Sequence, residues 1–185
     1  MTDDLKKRIR KIKLLITDLD GVHTDGSFYV GAMGEMKRFH ATDGAAIVLA
    51  RYAELPIAII SGRSSEATRQ RIKELRISPD LVYEGYMNKT IPYEILLEKF
   101  KMSDEDVAYV GDDFIDEPVL RRTGVSFSVA NAREEIRQIV DYVTTAEGGH
   151  GAVREIIELI LKTQERFESA LYKMRMLYTQ VENHE

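Results

Sequence analysis

Two acidic clusters in this chain are spaced to gather a divalent cation. The first reads Asp18-Leu19-Asp20-Gly21-Val22-His23-Thr24-Asp25-Gly26. Strand residues two apart point the same way, so Asp18 and Asp20 converge where a strand leaves its sheet. Confined carboxylates either keep a proton between them or gather a cation. Only oxygen ligands are on offer, so the matching cation is hard, Mg²⁺ first and Mn²⁺ second. The second cluster is Val110-Gly111-Asp112-Asp113-Phe114-Ile115-Asp116-Glu117. Asp112 and Asp113 follow another apolar run and face the same edge as Asp18. Asp116 either joins them or caps the next helix. Four converging carboxylates repel one another in a partly buried site, and a bound metal resolves that. Two further pieces suit a phosphate. Ser61-Gly62-Arg63 ends an apolar run and precedes a helix beginning near Ser64 or Ser65. Its hydroxyl and backbone N–H groups can hold an anion, with Arg63 adding a fork of donors, or the segment is simply a strand-to-helix turn. Lys89 follows the run ending near Tyr83 and the loop Glu84 to Asn88.

These residues need a scaffold that brings distant loops to one edge. Short β-prone runs recur at Lys13–Thr17, Ile57–Ile60, Asp80–Tyr83, Val107–Val110, Val125–Val129 and Tyr142–Thr144. Several are apolar without alternation, as strands covered on both faces are. Segments of helical period lie between them, such as Ser64 to Leu75 and Pro92 to Phe100. This alternation predicts an α/β fold, a mostly parallel sheet with helices on both faces and ligands at the carboxyl ends of its strands. Residues 27–40 break the pattern and predict a small β-hairpin flap, with a four-residue loop from Gly31 to Gly34, beside the site. The gaps from Asp20 to Ser61 and from Ser61 to Lys89 are too short for a separate cap domain.

The tail about 152–185 has no Gly or Pro. Val153, Ile157, Ile160, Phe167, Leu171, Met174, Tyr178 and Val181 alternate at spacings of three and four, with Gln164 filling the one gap. That permits a single helix of about 30 residues, about 45–50 Å long. A domain of this length is only about 40 Å across, so the seam would outrun it and pack on another subunit. The alternative is a break near Thr163 with the chain folded back on itself.

Composition sets the outer bounds. A chain of 185 residues is expected to form one domain. It has 44% hydrophobic and 31% charged residues, ordinary for a soluble globular protein. There is no cysteine, which excludes disulfides, thiolate metal sites and Cys nucleophiles. Lys plus Arg is 26 against 31 Asp plus Glu, a net charge of −5 that offers no pull towards nucleic acid or anionic lipid. No apolar run approaches the ~18 residues of a membrane span. Residues 1–8 are charged where a signal peptide would be apolar, so a cytoplasmic protein is expected. The first 13 residues, rich in Lys and Arg, read as a solvated arm or helix face.

The order of the motifs is Asp-x-Asp-Gly-x-x-Thr, strand-Ser, Lys, then strand-Gly-Asp-Asp-x-x-Asp. It resembles the four motifs of the haloacid dehalogenase superfamily of phosphohydrolases, over about residues 10–165. Phe39-His40-Ala41-Thr42-Asp43-Gly44 and Gly148-Gly149-His150-Gly151-Ala152-Val153-Arg154-Glu155 resemble its phosphatases for sugar-acid phosphates. The resemblance implies a Rossmann-like fold without a cap domain and a catalytic set of Asp18, Asp20, Ser61 and Lys89. Asp18 would be the nucleophile and Asp20 the acid and base. Mg²⁺ would be held by Asp18, the Asp20 carbonyl and Asp112, with Asp113 in support. Arg63, Thr24, Gly62, Asp43 and His150 would contact a small-molecule sugar phosphate. It further implies a homo-oligomer, a tetramer whose neighbouring subunit covers the site, and a place in lipopolysaccharide biosynthesis. Thr42 stands where that group often has a basic residue and His150 where it often has Arg. Both an eight-carbon and a nine-carbon sugar acid therefore stay open. From other classes, a receiver-like phospho-Asp signalling domain and a non-catalytic oligomerisation domain are the alternatives.

Overall fold

The computed structural model describes residues 1–32 and 34–181, the last five by backbone alone. Six parallel strands form the main sheet: β1 (Leu14–Thr17), β4 (Ile57–Ser61), β5 (Val82–Glu84), β6 (Val107–Val110), β7 (Val125–Ser128) and β8 (Tyr142–Val143). Their order is β5-β4-β1-β6-β7-β8. After β1 the chain builds outward through β4 and β5, then returns to the other side of β1 for β6. The order therefore reverses beside β1, and a crevice opens at the carboxyl ends of β1, β4 and β6. All residues of β1, β4, β6 and β7 are buried, as the largely unbroken apolar runs of the first three predict, whereas β7 buries two serines as well.

Alternate strand residues feed two cores. Leu15, Val110 and Phe127 pack with α1 (Asp3–Lys11), α2 (Ala41–Tyr52), α3 (Glu66–Glu74), α7 (Ala152–Thr163) and α8 (Phe167–Val181). Leu14, Ile16 and Tyr109 pack with α4 (Thr90–Phe100) and the one-turn helices α5 (Glu117–Leu120) and α6 (Glu134–Arg137). The basic N-terminus is α1 itself, a helix face rather than an arm. Thr2 caps it and Leu5 and Ile9 are buried beneath its charged side.

Two expectations are corrected. In the flap, β2 (Phe28–Gly31) and β3 (Gly34–Lys37) pair antiparallel with Gly31 opposite Gly34. The loop thus spans two residues, not four, and Gly34, at φ +106°, supplies a backbone that other residues resist. The C-terminal segment is two helices rather than one. The Gln164 side chain turns inward and donates to the carbonyls of Ile9 and Ile12 at 3.0 and 2.7 Å. Glu165 takes φ +60° and Arg166 N donates to the Leu161 carbonyl. After this break α8 folds back, burying Ala170 and packing Leu171 and Met174 against the first core. The described part of the seam is therefore consumed within its own domain. The side chains of Tyr178 and Val181, and residues 182–185, lie outside the described residues.

Candidate active site

Asp18 is the first residue beyond β1. Its backbone N–H donates to the Val110 carbonyl at 2.8 Å, which extends the sheet by one bond and places the side chain in the crevice, only 5% exposed. The loop after it is fastened from within. The Thr24 hydroxyl accepts from the backbone N–H groups of Gly21 and Gly26, at 3.1 and 3.2 Å. His23 is buried and its Nε2 lies 2.8 Å from the Thr17 hydroxyl. Burial, reinforced by the charge of Arg71, pushes His23 down to about 4, so it is neutral at ordinary pH. Gly21 has φ +91°, and a Cβ there would fall 2.1 Å from Asp112 Oδ2. Glycine is what lets the two acidic loops meet.

In the second loop the aspartates divide. Asp116, fully buried, accepts from four donors: Lys89 Nζ at 2.6 Å, the Tyr109 hydroxyl at 2.7 Å, and the backbone N–H groups of Asp112 and Asp113 at 3.2 and 3.3 Å. Asp112 instead keeps a buried Oδ1 with no hydrogen-bond partner. One carboxylate oxygen from each of Asp18, Asp112 and Asp116 falls within 4.8 Å of the others. Lys89, 1% exposed, bridges Asp18 and Asp116 at 2.6 Å each. Burial works against its ammonium, but the two carboxylates outweigh that and hold it charged, above the ordinary lysine value. Burial, with the charge of Asp116, pushes Asp18 up to about 7, and burial with the charge of Asp18 pushes Asp112 up to about 8.

Those shifts describe a site short of positive charge. The unpartnered Asp112 oxygen, the facing Asp18 carboxylate and the glycine that permits their approach fit a hard divalent cation with oxygen ligands. Asp116 has its lone pairs committed to four donors, so Asp18 and Asp112 are the side chains free to serve.

The other expected site residues fall into three groups. Ser61, 1% exposed, ends β4 at the crevice and its hydroxyl accepts from Arg63 N at 3.2 Å. Gly62 lies beside it under Ile115 and Met87, which a Cβ would meet at 3.2 Å each. Asp20 lies at the flap, its carboxylate paired with Lys37 at 2.7 Å. The second group stands at the rim. Arg63 is drawn to the flap, bonding Glu35 at 2.6 Å with its guanidinium 4.1 Å from the Phe28 ring centre. His150 Nε2 lies 2.7 Å from Arg38, which also pairs with Asp25.

The third group is bonded into the framework. Thr24 ties its own loop, as above. Asp43, 3% exposed, accepts from Gly151 N and Arg154 N and so anchors the start of α7. Asp113 turns from the metal group to cap the next turn, accepting from Phe114 N at 2.7 Å, with a half-exposed side chain. Lys37 and His23 were not singled out by motif. Lys37 had a signal in the alternation Glu35-Met36-Lys37, which in a strand puts both charges on one face.

The family of haloacid dehalogenase-like hydrolases matches residues 80–157. The 3-deoxy-D-manno-octulosonate 8-phosphate phosphatase of Escherichia coli (strain K12) is 42% identical over 168 residues, 90% of this chain and 88% of that protein. The crystal structure of the Yersinia pestis phosphatase of the same name superposes with a TM-score of 0.87 at 40% identity, covering 91% and 90% of the two chains. That of Moraxella catarrhalis, in complex with magnesium, phosphate and the sugar acid KDO, gives 0.88 at 35% identity over 94% and 99%. The chain belongs to the haloacid dehalogenase-like hydrolases and, within them, to the 3-deoxy-D-manno-octulosonate 8-phosphate phosphatase family.

Proposed function

We propose that this enzyme hydrolyses 3-deoxy-D-manno-octulosonate (KDO) 8-phosphate to KDO and inorganic phosphate, with Mg²⁺ as its cofactor. The observation that carries this reading is the pair of the buried Asp18 and the half-buried Asp112, whose Oδ1 is buried without a partner, beside the Lys89 ammonium. Asp18, Asp112 and the Asp20 carbonyl would hold the ion. When bound it neutralises the carboxylates and the phosphoryl oxygens and aligns the phosphorus.

The chain's own residues supply the rest. An Asp18 oxygen attacks phosphorus, the bond from phosphorus to the sugar oxygen breaks, and Asp20 gives that oxygen a proton. Water then attacks the aspartyl-phosphate, its proton passes to Asp20, and the bond from phosphorus to Asp18 breaks. Ser61 and Lys89 grip the phosphoryl oxygens, and Asp116 with Tyr109 keeps Lys89 aimed. The flap supports a neighbouring subunit as the lid, within a homotetramer. Tyr29, Val30 and Met36 are 67%, 77% and 67% exposed while Glu35 and Lys37 face inward. With this activity goes a cytoplasmic supply of KDO for lipopolysaccharide.

The test is phosphate release with and without Mg²⁺ over a panel holding KDO 8-phosphate and nine-carbon nonulosonate 9-phosphates. The expected result is Mg²⁺-dependent turnover with KDO 8-phosphate preferred, abolished in Asp18→Asn. Preference for a nine-carbon substrate would reassign the sugar, and full activity in Asp18→Asn would remove the nucleophile.

A further inference from the structure

The flap does more than lie beside the site, because its last strand residue carries a fully buried ammonium. The Lys37 side chain is 0% exposed and contacts Asp20 Oδ1 at 2.7 Å and Oδ2 at 2.9 Å. Its third near neighbour is the Thr68 hydroxyl at 3.2 Å, and Glu35 lies 3.5 Å away. Thr68 is itself held. Its hydroxyl accepts from Ser65 Oγ at 3.0 Å, and its N–H donates back to Ser65, the cap of α3. The Lys37 backbone is fixed from the other side, since it pairs with Phe28, on whose ring Arg63 lies while bonding Glu35. An ammonium this dry is costly unless its charge is met, and Asp20 meets it with both oxygens.

We propose that Lys37 is the positioning residue for Asp20, holding that carboxylate so that it can serve the sugar oxygen leaving phosphorus. This rests on the acid–base role given to Asp20 above. Two oxygens engaged by one anchored cation fix the plane of the carboxylate group. The flap thus joins the proton transfer through Lys37, and α3 sets its place through Thr68. The Lys37 ammonium contacts Asp20, Thr68 and Glu35, and no contact with Asp18 or Asp112 is among them.

Leaving-group chemistry separates this role from a structural one. A sugar alkoxide must be protonated to leave, whereas p-nitrophenolate departs unaided. First-turnover release of the leaving group isolates that step and is read with Mg²⁺ on KDO 8-phosphate and on p-nitrophenyl phosphate. In Lys37→Met the ratio of the first rate to the second is expected to fall about 30-fold or more, with Asp20→Asn showing the same asymmetry. Thr68→Val, which removes only the anchor, moves the ratio the same way by a smaller factor. Equal loss on both substrates in Lys37→Met overturns the proposal, as does a rise in KM for the sugar phosphate with an unmoved ratio. If Lys37→Met does not fold, an unmoved ratio in Thr68→Val overturns it alone. Failure of the wild-type enzyme to turn over either substrate would instead strike the proposed function.

Discussion

In the loop after β6, Asp116 is met by four donors while Asp112, four residues earlier, keeps a buried oxygen with no partner. In the loop after β1 the same division recurs. Asp18 faces Asp112 across Gly21, and Asp20 is drawn aside by a lysine from the flap. Each acidic loop therefore holds one carboxylate engaged away from the metal group and one that faces its counterpart in the other loop, Asp18 sharing Lys89 with Asp116 and Asp112 keeping an oxygen without a donor. The comparison teaches that an acidic cluster is read by its donors, not by its count. Asp112 keeps an oxygen with no donor beside Asp18, which suits a cation, whereas Asp116 and Asp20 are each met by a buried lysine.

Substituting the two kinds of aspartate breaks the comparison from either side. Asp112→Asn is expected to lower kcat/KM by about 10³-fold through loss of a metal ligand. It should nevertheless stabilise the metal-free protein at pH 8. Asp112 has its folded value raised, so its stability contribution is present at low pH and lost as pH rises towards 8. Thermal melts at pH 5 and pH 8 read this, and the Asn variant should show the smaller difference. Asp116→Asn should do the reverse and destabilise the fold by about 3 kcal/mol in urea titrations. An amide cannot accept from all four donors, since its nitrogen must face either Lys89 and Tyr109 or the two backbone N–H groups.

The loop after β1 gives a comparable pH effect. His23 is neutral when folded, with its value lowered to about 4 against about 6.5 unfolded. Its contribution is constant above pH 6.5 and is lost as pH falls from 6.5 to 4, by about 3 kcal/mol in all. His23→Leu should flatten that acid slope in urea titrations at successive pH values. The smallest effect sharpens the contrast. Asp113→Asn, at a half-exposed cap, should change kcat/KM by less than about twofold and stability by less than about 1 kcal/mol.

The parallel sheet was legible because apolar runs mark buried strands, and the meeting of Asp18 with Asp112 followed from it, since both leave parallel strands at the same edge. Asp116 was legible as acidic but not as a hub, since its donors come from Lys89, 27 residues away, and from Tyr109 inside an apolar strand. The framework bonds of Thr24 and Asp43 were not legible from residue type, since their donors are backbone N–H groups placed by the fold. The apolar seam across residues 152–181 was periodic enough for one helix. The break at Gln164 depends on two carbonyls at the end of α1, some 150 residues away, which no local pattern reveals. Lys37 was hidden for the same reason, as a lysine in an exposed hairpin whose burial comes from α3 and the loop after β1.

The most direct test is a calorimetric titration of the metal-free protein with Mg²⁺ at pH 7, run in buffers of different ionisation enthalpy. The account predicts one ion per chain with release of about one proton, as the Asp18 and Asp112 pair gives up what its burial retains. It predicts the loss of that signal in Asp112→Asn. Binding without proton release, or with undiminished affinity in Asp112→Asn, would contradict it.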